Sequence, residues 1–185
     1  GIGSVSFGVT NTASGTASIS IGSNCLSNAA NSVSIGNTNT ASGINSLSIG
    51  GTINTASGLE SCVLAGNNNI ASGLQSIIIG GSYNKSSGTC AIAMGLGSVA
   101  HLYTSKSFAS NFFVIQGDAQ KLDTILRVNT TNNVADYLQL ADGTDGITLP
   151  TDCTVNIWIR LTAVQQSGAA GTIGDSLVED IYLAA

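Results

Sequence analysis

His101 is the side chain best suited to acid–base catalysis, because it is the only histidine in this 185-residue chain. A histidine base needs a nucleophile and an orienting acid within reach. Tyr103 and Ser105 follow it closely, and Asp118 and Asp123 are nearby acids in the sequence. Sequence proximity does not by itself assemble these groups. We therefore predict that His101 is solvated or packed, that there is no catalytic residue, and that the chain is not an enzyme.

The four cysteines could in principle hold a metal ion or form disulfides. Cys25, Cys62, Cys90 and Cys153 have neither metal-site spacing nor an obvious pairing. We predict free thiols, no metal site and no cofactor, which suits assembly in a reducing compartment. Cys62 alternates with apolar neighbours and is predicted to be a small inward-facing hydrophobe.

Two further groups of side chains invite a binding interpretation. Asp142, Asp145 and Asp152 could offer carboxylates to Ca²⁺, but Asp-Gly pairs and a Pro-led segment are also ordinary turn sequences. We predict turns there. The aromatic side chains that could stack on sugar rings are those of Trp158, Tyr137 and Tyr103. Trp158 lies in an alternating segment, which favours core packing.

The overall composition excludes three classes of protein. Only 8% of residues are charged while 43% are hydrophobic, the reverse of a disordered chain. No apolar run approaches the roughly 18–20 residues of a membrane helix. With Lys and Arg totalling 5 and a pI near 4.3, the chain has no basic surface for nucleic acid. We predict neither membrane insertion nor nucleic-acid binding.

Charge divides the chain into two parts. Residues 1–100 carry only Glu60 and Lys85, so the net charge of −5 belongs to the remainder. Such a step in composition is typical of a domain boundary. We predict a repeat domain over residues 1–96, a linker over 97–107 and a second domain over 108–185.

A short serine-rich apolar segment recurs every 14 residues at first and every 15 residues further on. The recurring segments are residues 4–8, 18–22, 32–36, 46–50, 61–65, 76–80 and 91–95. A parallel crossover that carries a helix needs a dozen residues or more, so this period excludes one. The repeat therefore predicts a solenoid whose coils each hold two short strands and two turns.

Two columns of turn-forming residues recur with the same period. One contains Asn11, Cys25, Asn39, Asn54, Asn69 and Asn84. The other contains Gly15, Ala29, Gly43, Gly58, Gly73 and Gly88. Because Gly and Asn tolerate positive φ, we predict that both columns form the corners of the coil. We also expect the stacked Asn side chains to form a hydrogen-bonded ladder.

Strand alternation assigns the faces of the repeated segments. In residues 18–21 the isoleucines share one face, which we predict to be the inner one, and the serines share the outer face. The outer column then contains Ser6, Ser20, Ser34, Ser48, Val63, Ile78 and Ala93. Because its later members are apolar, we predict a trimer interface at Val63, Ile78 and Ala93. Folding back of the second domain over this face is the alternative.

The repeats resemble the head repeats of trimeric autotransporter adhesins of the YadA type. The resemblance rests on NSVSIG at residues 31–36, NSLSIG at residues 45–50 and the Ala-Ser-Gly corners. It covers roughly residues 1–95 and implies a left-handed parallel β-roll that assembles as a homotrimer. The chain departs from the family in having Ser where Ala is commoner, and we recognise no stalk, neck motif or membrane-anchor segment among these 185 residues.

The second half reads as strands without helical period, separated by turn signals. The candidate strands are residues 112–115, 124–128, 137–140, 146–149, 154–161 and 177–183. Their spacing predicts a small antiparallel β-sandwich or barrel. The predicted fold class is therefore all-β, a β-roll solenoid followed by a β-sandwich, assembled as a homotrimer. Because a strand candidate ends almost at the last residue, we expect the chain to be part of a longer one.

Residues 107–165 resemble a domain of phage structural and tail-fibre proteins, in which it often follows YadA-like repeats. The matching motifs are GDAQ at 117–120, LQLADG at 138–143, ITLP at 147–150 and VNIW at 155–158. After Val164 the chain has Gln165 and Gln166 where the phage pattern has basic residues. The resemblance implies a virion protein, with other virion proteins and a host-surface glycan or protein as partners.

These features together predict a trimeric phage fibre that presents a host-attachment or particle-decorating surface. The alternative is the head of a bacterial surface adhesin, located on the cell surface. An ice-binding solenoid would need a flat Ser or Thr array, which the predicted outer column loses after Ser48. A tailspike hydrolase would need an acidic pair in a groove, and the repeats contain almost no acids.

Overall fold

The computed structural model describes residues 1–112, 114–127, 139–140, 156–164 and 176–184. In chain order the first sixteen strands are β1 (Val5–Val9), β2 (Thr12–Ala13), β3 (Ile19–Ser23), β4 (Leu26–Ser27), β5 (Val33–Asn37), β6 (Thr40–Ala41), β7 (Leu47–Thr52), β8 (Thr55–Ala56), β9 (Cys62–Leu64), β10 (Ile70–Ala71), β11 (Ile77–Ile79), β12 (Lys85–Ser86), β13 (Ile92–Gly95), β14 (Val99–Ala100), β15 (Lys106–Ala109) and β16 (Gln120–Asp123). The described residues contain no helix.

The strands build two sheets that share the same coils. The long-strand sheet has the order β1-β3-β5-β7-β9-β11-β13-β15-β16, and the short-strand sheet has the order β14-β12-β10-β8-β6-β4-β2. Every pairing between coils is parallel, and only β16 joins its neighbour β15 in antiparallel fashion. Equivalent residues of successive repeats are paired, as Ile19 is with Val33. The predicted parallel β-solenoid is therefore confirmed, with about eight coils.

The predicted linker over residues 97–107 is wrong. β14 pairs with β12, and β15 pairs with β13, so these residues form the last coil of the solenoid. The change in charge that suggested a boundary falls inside a continuous stack of strands. Lys106 begins β15 and is exposed, so a charged residue enters this coil without disturbing its interior.

The two faces of the long-strand sheet are the reverse of those predicted from the sequence. The buried column is the one containing Ser20, Ser34, Ser48, Val63, Ile78 and Ala93. The larger aliphatic side chains on either side of it, such as Ile19 and Ile21, lie outside and are half-buried. The assignment of the isoleucines to the core and of the serine column to the surface is therefore wrong.

The width of the coil explains this reversal. A coil of 14 or 15 residues encloses too little space for two large aliphatic side chains, so small groups fill it. Ser20 and Ser34 satisfy their hydroxyls inside by donating to the carbonyl oxygens of Cys25 and Asn39, each at 2.8 Å. Further along, Val63 and Ile78 replace serine and pack among buried alanines. These alanines are Ala56, Ala71, Ala91, Ala93 and Ala100.

The corners also differ from the prediction by one or two positions. Positive φ occurs at the residue before each member of the Asn column, namely Thr10, Asn24, Thr38, Ile53, Asn68 and Tyr83. At the other corner it occurs two residues after the Gly15 column, at Ala17, Asn31, Asn45, Glu60, Gln75 and Cys90. Position 58 requires glycine because of the close approach of the next coil and not because of its φ angle. A Cβ there would lie 2.1 Å from the Gly73 carbonyl oxygen. The column that contains Gly58 allows close stacking of coils.

The predicted asparagine ladder is confirmed, and its bonds join side chains to the backbone. Asn54 Nδ2 donates to the carbonyl oxygen of Gly50 in its own coil and to that of Gly66 in the next, each at 3.0 Å. Its Oδ1 accepts the Asn69 N–H at 3.1 Å. Asn39, Asn69 and Asn84 repeat the pattern. Each buried amide therefore ties two coils together.

Cys25 interrupts this ladder, and Cys25→Asn is expected to stabilise the solenoid. The Cys25 thiol reaches the Gly36 carbonyl oxygen at 3.3 Å but offers no acceptor corresponding to an Asn Oδ1, which would accept the Asn39 N–H. Restoring that acceptor should raise the free energy of unfolding by about 1 kcal/mol, a typical value for a buried hydrogen bond. Urea denaturation measures the change, with Cys25→Ala as the control, because alanine removes the thiol without adding an acceptor and should not stabilise the solenoid. An unchanged or lowered unfolding free energy would contradict the prediction.

The described residues after Asp123 contain two strand pairs. β17 (Leu126–Arg127) pairs with β18 (Gln139–Leu140), and β19 (Asn156–Val164) pairs with β20 (Ser176–Ala184), both antiparallel. The structure divides into compact units at residues 1–147 and 148–185. The predicted β-sandwich lies largely outside the described residues. A strand predicted at residues 112–115 is wrong, since Asp118 Oδ2 accepts the N–H groups of Val114 and Ile115 and forms a turn.

Candidate interaction face

The outer face of the long-strand sheet carries two parallel columns of side chains, all apolar except for one lysine in the last coil. The first column is Val5, Ile19, Val33, Leu47, Cys62, Ile77, Ile92 and Lys106. The second column is Phe7, Ile21, Ile35, Ile49, Leu64, Ile79, Met94 and Phe108. We call these two columns the apolar face. Its residues stack at strand spacing because equivalent positions of successive coils are paired, and Ile79 and Met94 directly follow the last positions at which β11 pairs with β13.

The apolar face is open to solvent in the single chain. Phe7 is 73% exposed, Leu64 43% and Ile79 50%, and the other members between the first and last coils are half-buried. Lys106 in the last coil is the only charged residue in either column. A continuous apolar surface of this kind on a solenoid whose interior is already filled is typical of an interaction site.

The central coils of the apolar face contain one ionisable side chain, Cys62, and partial burial changes the pKa of its thiol. Cys62 is half-buried there, and desolvation raises the pKa of its thiol. The thiol is therefore protonated at neutral pH and behaves as an apolar group. The prediction that Cys62 faces inward is wrong, although its role as a small hydrophobe fits its place on the outside.

The residues that the sequence suggested for a trimer interface lie on the opposite side of the same strands. Val63, Ile78 and Ala93 are completely buried inside the coil of one chain, so their side chains have no surface with which to contact another subunit. The interpretation failed because the outward direction was assigned to the wrong alternate residues. The signal that could have assigned the faces was the small residue at the same position of the earlier coils, namely Ser20, Ser34 and Ser48, which a narrow coil admits.

The side chains considered for catalysis or metal binding do not come together in the part of the chain that the structure describes. His101 is exposed in the last coil, and Tyr103 is half-buried at the corner that follows. No group of three His, Cys, Asp or Glu side chains there could hold a metal ion. Cys25, Cys62 and Cys90 are free thiols. The candidate Ca²⁺ ligands Asp142, Asp145 and Asp152, with Cys153 and Tyr137, lie outside the described residues.

The remaining chemical features are a shallow groove and a mixed second face. The groove, of about 520 Å³, is lined by Lys85, Val99, Phe112, Val114, Ile115 and Gln116. It is wide open, and none of these six lining residues is an acid, a histidine, a serine or a cysteine. The outer column of the short-strand sheet contains Thr12, Leu26, Thr40, Thr55, Ile70, Lys85 and Val99. This column holds no regular Thr array, which argues against ice binding. The Ser column considered for ice binding from the sequence faces the interior of the coil and does not bear on this question.

No helix within the described residues is both long and apolar enough to cross a bilayer. No protein-family model matches the chain, and a search of curated proteins found no match. The two resemblances noted from the sequence therefore rest on their short motifs alone. The apolar face is the feature of the structure that carries most weight for function.

Proposed function

We propose that this chain is a segment of a homotrimeric fibre of a phage or similar virus. It assembles through the apolar face and presents its remaining surface for host attachment or for decoration of the capsid or tail. It acts by binding and presentation, without catalysing a reaction and without a cofactor. Its partners are two further copies of itself, other virion proteins, and a glycan or protein on the host surface.

The apolar face is the observation that carries this proposal. Filling the interior mainly with Ser, Asn and Ala leaves most of the large aliphatic side chains outside, where water contact costs free energy. A second copy of the same face removes that cost for both chains. The three-fold state is supported by the resemblance of the repeats to trimeric β-rolls.

Association through one sheet leaves the other side of each coil for display. The short-strand sheet and the two corners then face outward, and they carry Thr, Asn and Ser with isolated apolar residues. Stacked coils place each such residue about 4.8 Å above its equivalent. Three copies of this surface multiply weak contacts with a host receptor through avidity.

The location of the protein distinguishes the fibre from its closest alternative, the head of a bacterial adhesin. Both use a self-associating β-roll, so oligomeric state alone does not separate them. Antibodies against the 185-residue chain are expected to label the fibres of purified virus particles in electron micrographs. Labelling of the bacterial surface without labelling of particles would contradict the fibre proposal and favour the adhesin.

A further inference from the structure

The strands of the last coil of a solenoid have unpaired backbone N–H and C=O groups, because no further coil follows to pair with them. Inside the short-strand sheet the Lys85 N–H donates to the Ser98 carbonyl oxygen of the next coil at 2.8 Å. Val99 occupies the equivalent place in the last coil, so its N–H and C=O point to where a further coil would lie. Unpaired edges of this kind readily accept strands from other chains.

The structure assigns Gln120 as the capping residue of the solenoid, which closes this edge against strand addition by a second copy of the chain. The Val99 N–H donates to Gln120 Oε1 at 2.7 Å, and Gln120 Nε2 donates to the Val99 carbonyl oxygen at 2.9 Å. The side-chain amide therefore takes the place of one peptide group of the missing coil. Both edge groups of Val99 are satisfied by a single side chain.

Buried hydroxyl groups hold this amide in position. Ser107 Oγ donates to Gln120 Oε1 at 2.6 Å, and Ser98 Oγ donates to Ser107 Oγ at 2.7 Å. Ser98 and Ser107 are buried in the end coil, one next to each sheet. Because a primary amide both donates and accepts, it alone among uncharged side chains of this length satisfies the N–H, the C=O and the hydroxyl.

The strand that carries Gln120 closes the edge of the other sheet. β16 pairs in antiparallel register with β15, with Gln120 opposite Ala109 and Asp123 opposite Lys106. The reversed direction ends the parallel repeat, since a further coil cannot continue it. Lys121 and Asp123 form an exposed ion pair of 3.1 Å on the strand, and charged residues on an edge strand discourage further pairing. One segment thus terminates both sheets.

The test replaces the amide by an apolar side chain of similar size in the full 185-residue chain. Gln120→Leu is expected to speed hydrogen exchange of the Val99 amide about tenfold or more relative to wild type. It should also produce species heavier than the wild-type assembly, increasing with concentration, in sedimentation velocity. Gln116→Leu is the matched control, because Gln116 lies on the same segment, is exposed, and gains the same apolar group. The control should behave as wild type in both measurements.

Gln120→Glu provides a second variant that keeps the size of the side chain. Its carboxylate would place a second oxygen against the Val99 carbonyl oxygen in place of the Nε2 donor, and repulsion between these oxygens should displace the side chain and open the edge at neutral pH. Protonation of the carboxylate at acidic pH restores a donor. The ratio of the Val99 exchange rate in Gln120→Glu to that in wild type at the same pH should then fall towards one. Unchanged Val99 exchange in Gln120→Leu would overturn the assignment. A wild-type mass distribution in Gln120→Leu, despite faster exchange, would overturn the protection against strand addition.

Discussion

Ile78→Asp is expected to unfold the solenoid, whereas the same change at its neighbour Ile79 should leave it folded. Ile78 is fully buried among Ala71, Ala93 and Val63, so a carboxyl group there has no polar partner. Burying an unpaired charged or polar group costs several kcal/mol, and we expect a loss of about 4 kcal/mol or more in the free energy of unfolding. Ile79 is 50% exposed on the apolar face.

Circular dichroism and urea denaturation of the two variants measure this difference. Ile79→Asp should keep the β-sheet signal and a cooperative unfolding transition, and its loss of unfolding free energy relative to wild type should come only from lost subunit association, which depends on protein concentration. The two substitutions are chemically identical and adjacent in sequence, so only the orientation of the strand separates them. A stable Ile78→Asp together with an unfolded Ile79→Asp would show that the faces of the sheet are the other way round.

Gly66→Ala is expected to disrupt the stacking of the coils. Gly66 has φ near +95°, and a Cβ there would lie 2.1 Å from the Gly81 carbonyl oxygen and 2.5 Å from Asn69 Nδ2. A backbone atom cannot move away without breaking the pairing of the next coil. The equivalent position is glycine in every coil from the first to the seventh, namely Gly8, Gly22, Gly36, Gly51, Gly66, Gly81 and Gly95. We expect a loss of about 4 kcal/mol or more in the free energy of unfolding.

Gly80→Ala is the matched control, because it shares the positive φ without the close contact. Gly80 has φ near +64°, and a Cβ there would find only the Leu64 carbonyl oxygen, at 3.7 Å. Its cost should be limited to the left-handed backbone, about 1–2 kcal/mol. Thermal denaturation of the two variants separates the effects. Equal destabilisation by both substitutions would mean that backbone conformation, and not coil spacing, requires glycine at position 66.

The solenoid could be predicted from the sequence because the sequence repeats with a period equal to the length of one coil. Equivalent residues recur at 14 or 15 positions, and parallel pairing of Ile19 with Val33 or of Thr40 with Thr55 follows directly. The eighth coil lies beyond the repeat predicted from the sequence, because Lys106 places a charge in a column that is otherwise uncharged, at the point where the composition changes. Its interior positions, Ser107 and Ala109, keep the pattern of small residues, which was the signal that could have extended the repeat.

The candidate site was harder to predict because strand alternation gives two faces but does not say which is inside. Hydrophobic residues usually lie inside, and this general tendency fails when the enclosed space is small. Ser34 and Asn39 are fully buried here because each finds a hydrogen-bond partner, while Ile35 between them faces outward. Pairings between a side chain and the backbone of the next coil depend on the folded geometry and are not visible in a sequence pattern.

The Gln120 cap was beyond prediction for a related reason. Its contacts with Val99 and Ser107 join residues 21 and 13 positions apart. Nothing in the local sequence around GDAQ marks that glutamine as a partner of the short-strand sheet. Only the end of the stack creates the unpaired groups that it satisfies.

The most direct test of whether the apolar face is a self-association surface is the native mass of wild type and of Ile79→Asp. Light scattering coupled to size-exclusion chromatography measures both masses. Wild type is expected at three times the chain mass of 18.5 kDa, and Ile79→Asp at the mass of one chain. Thr40→Asp, on the outer side of the short-strand sheet, should retain the wild-type mass. A single-chain mass for wild type, or an unchanged assembly in a folded Ile79→Asp, would contradict the account.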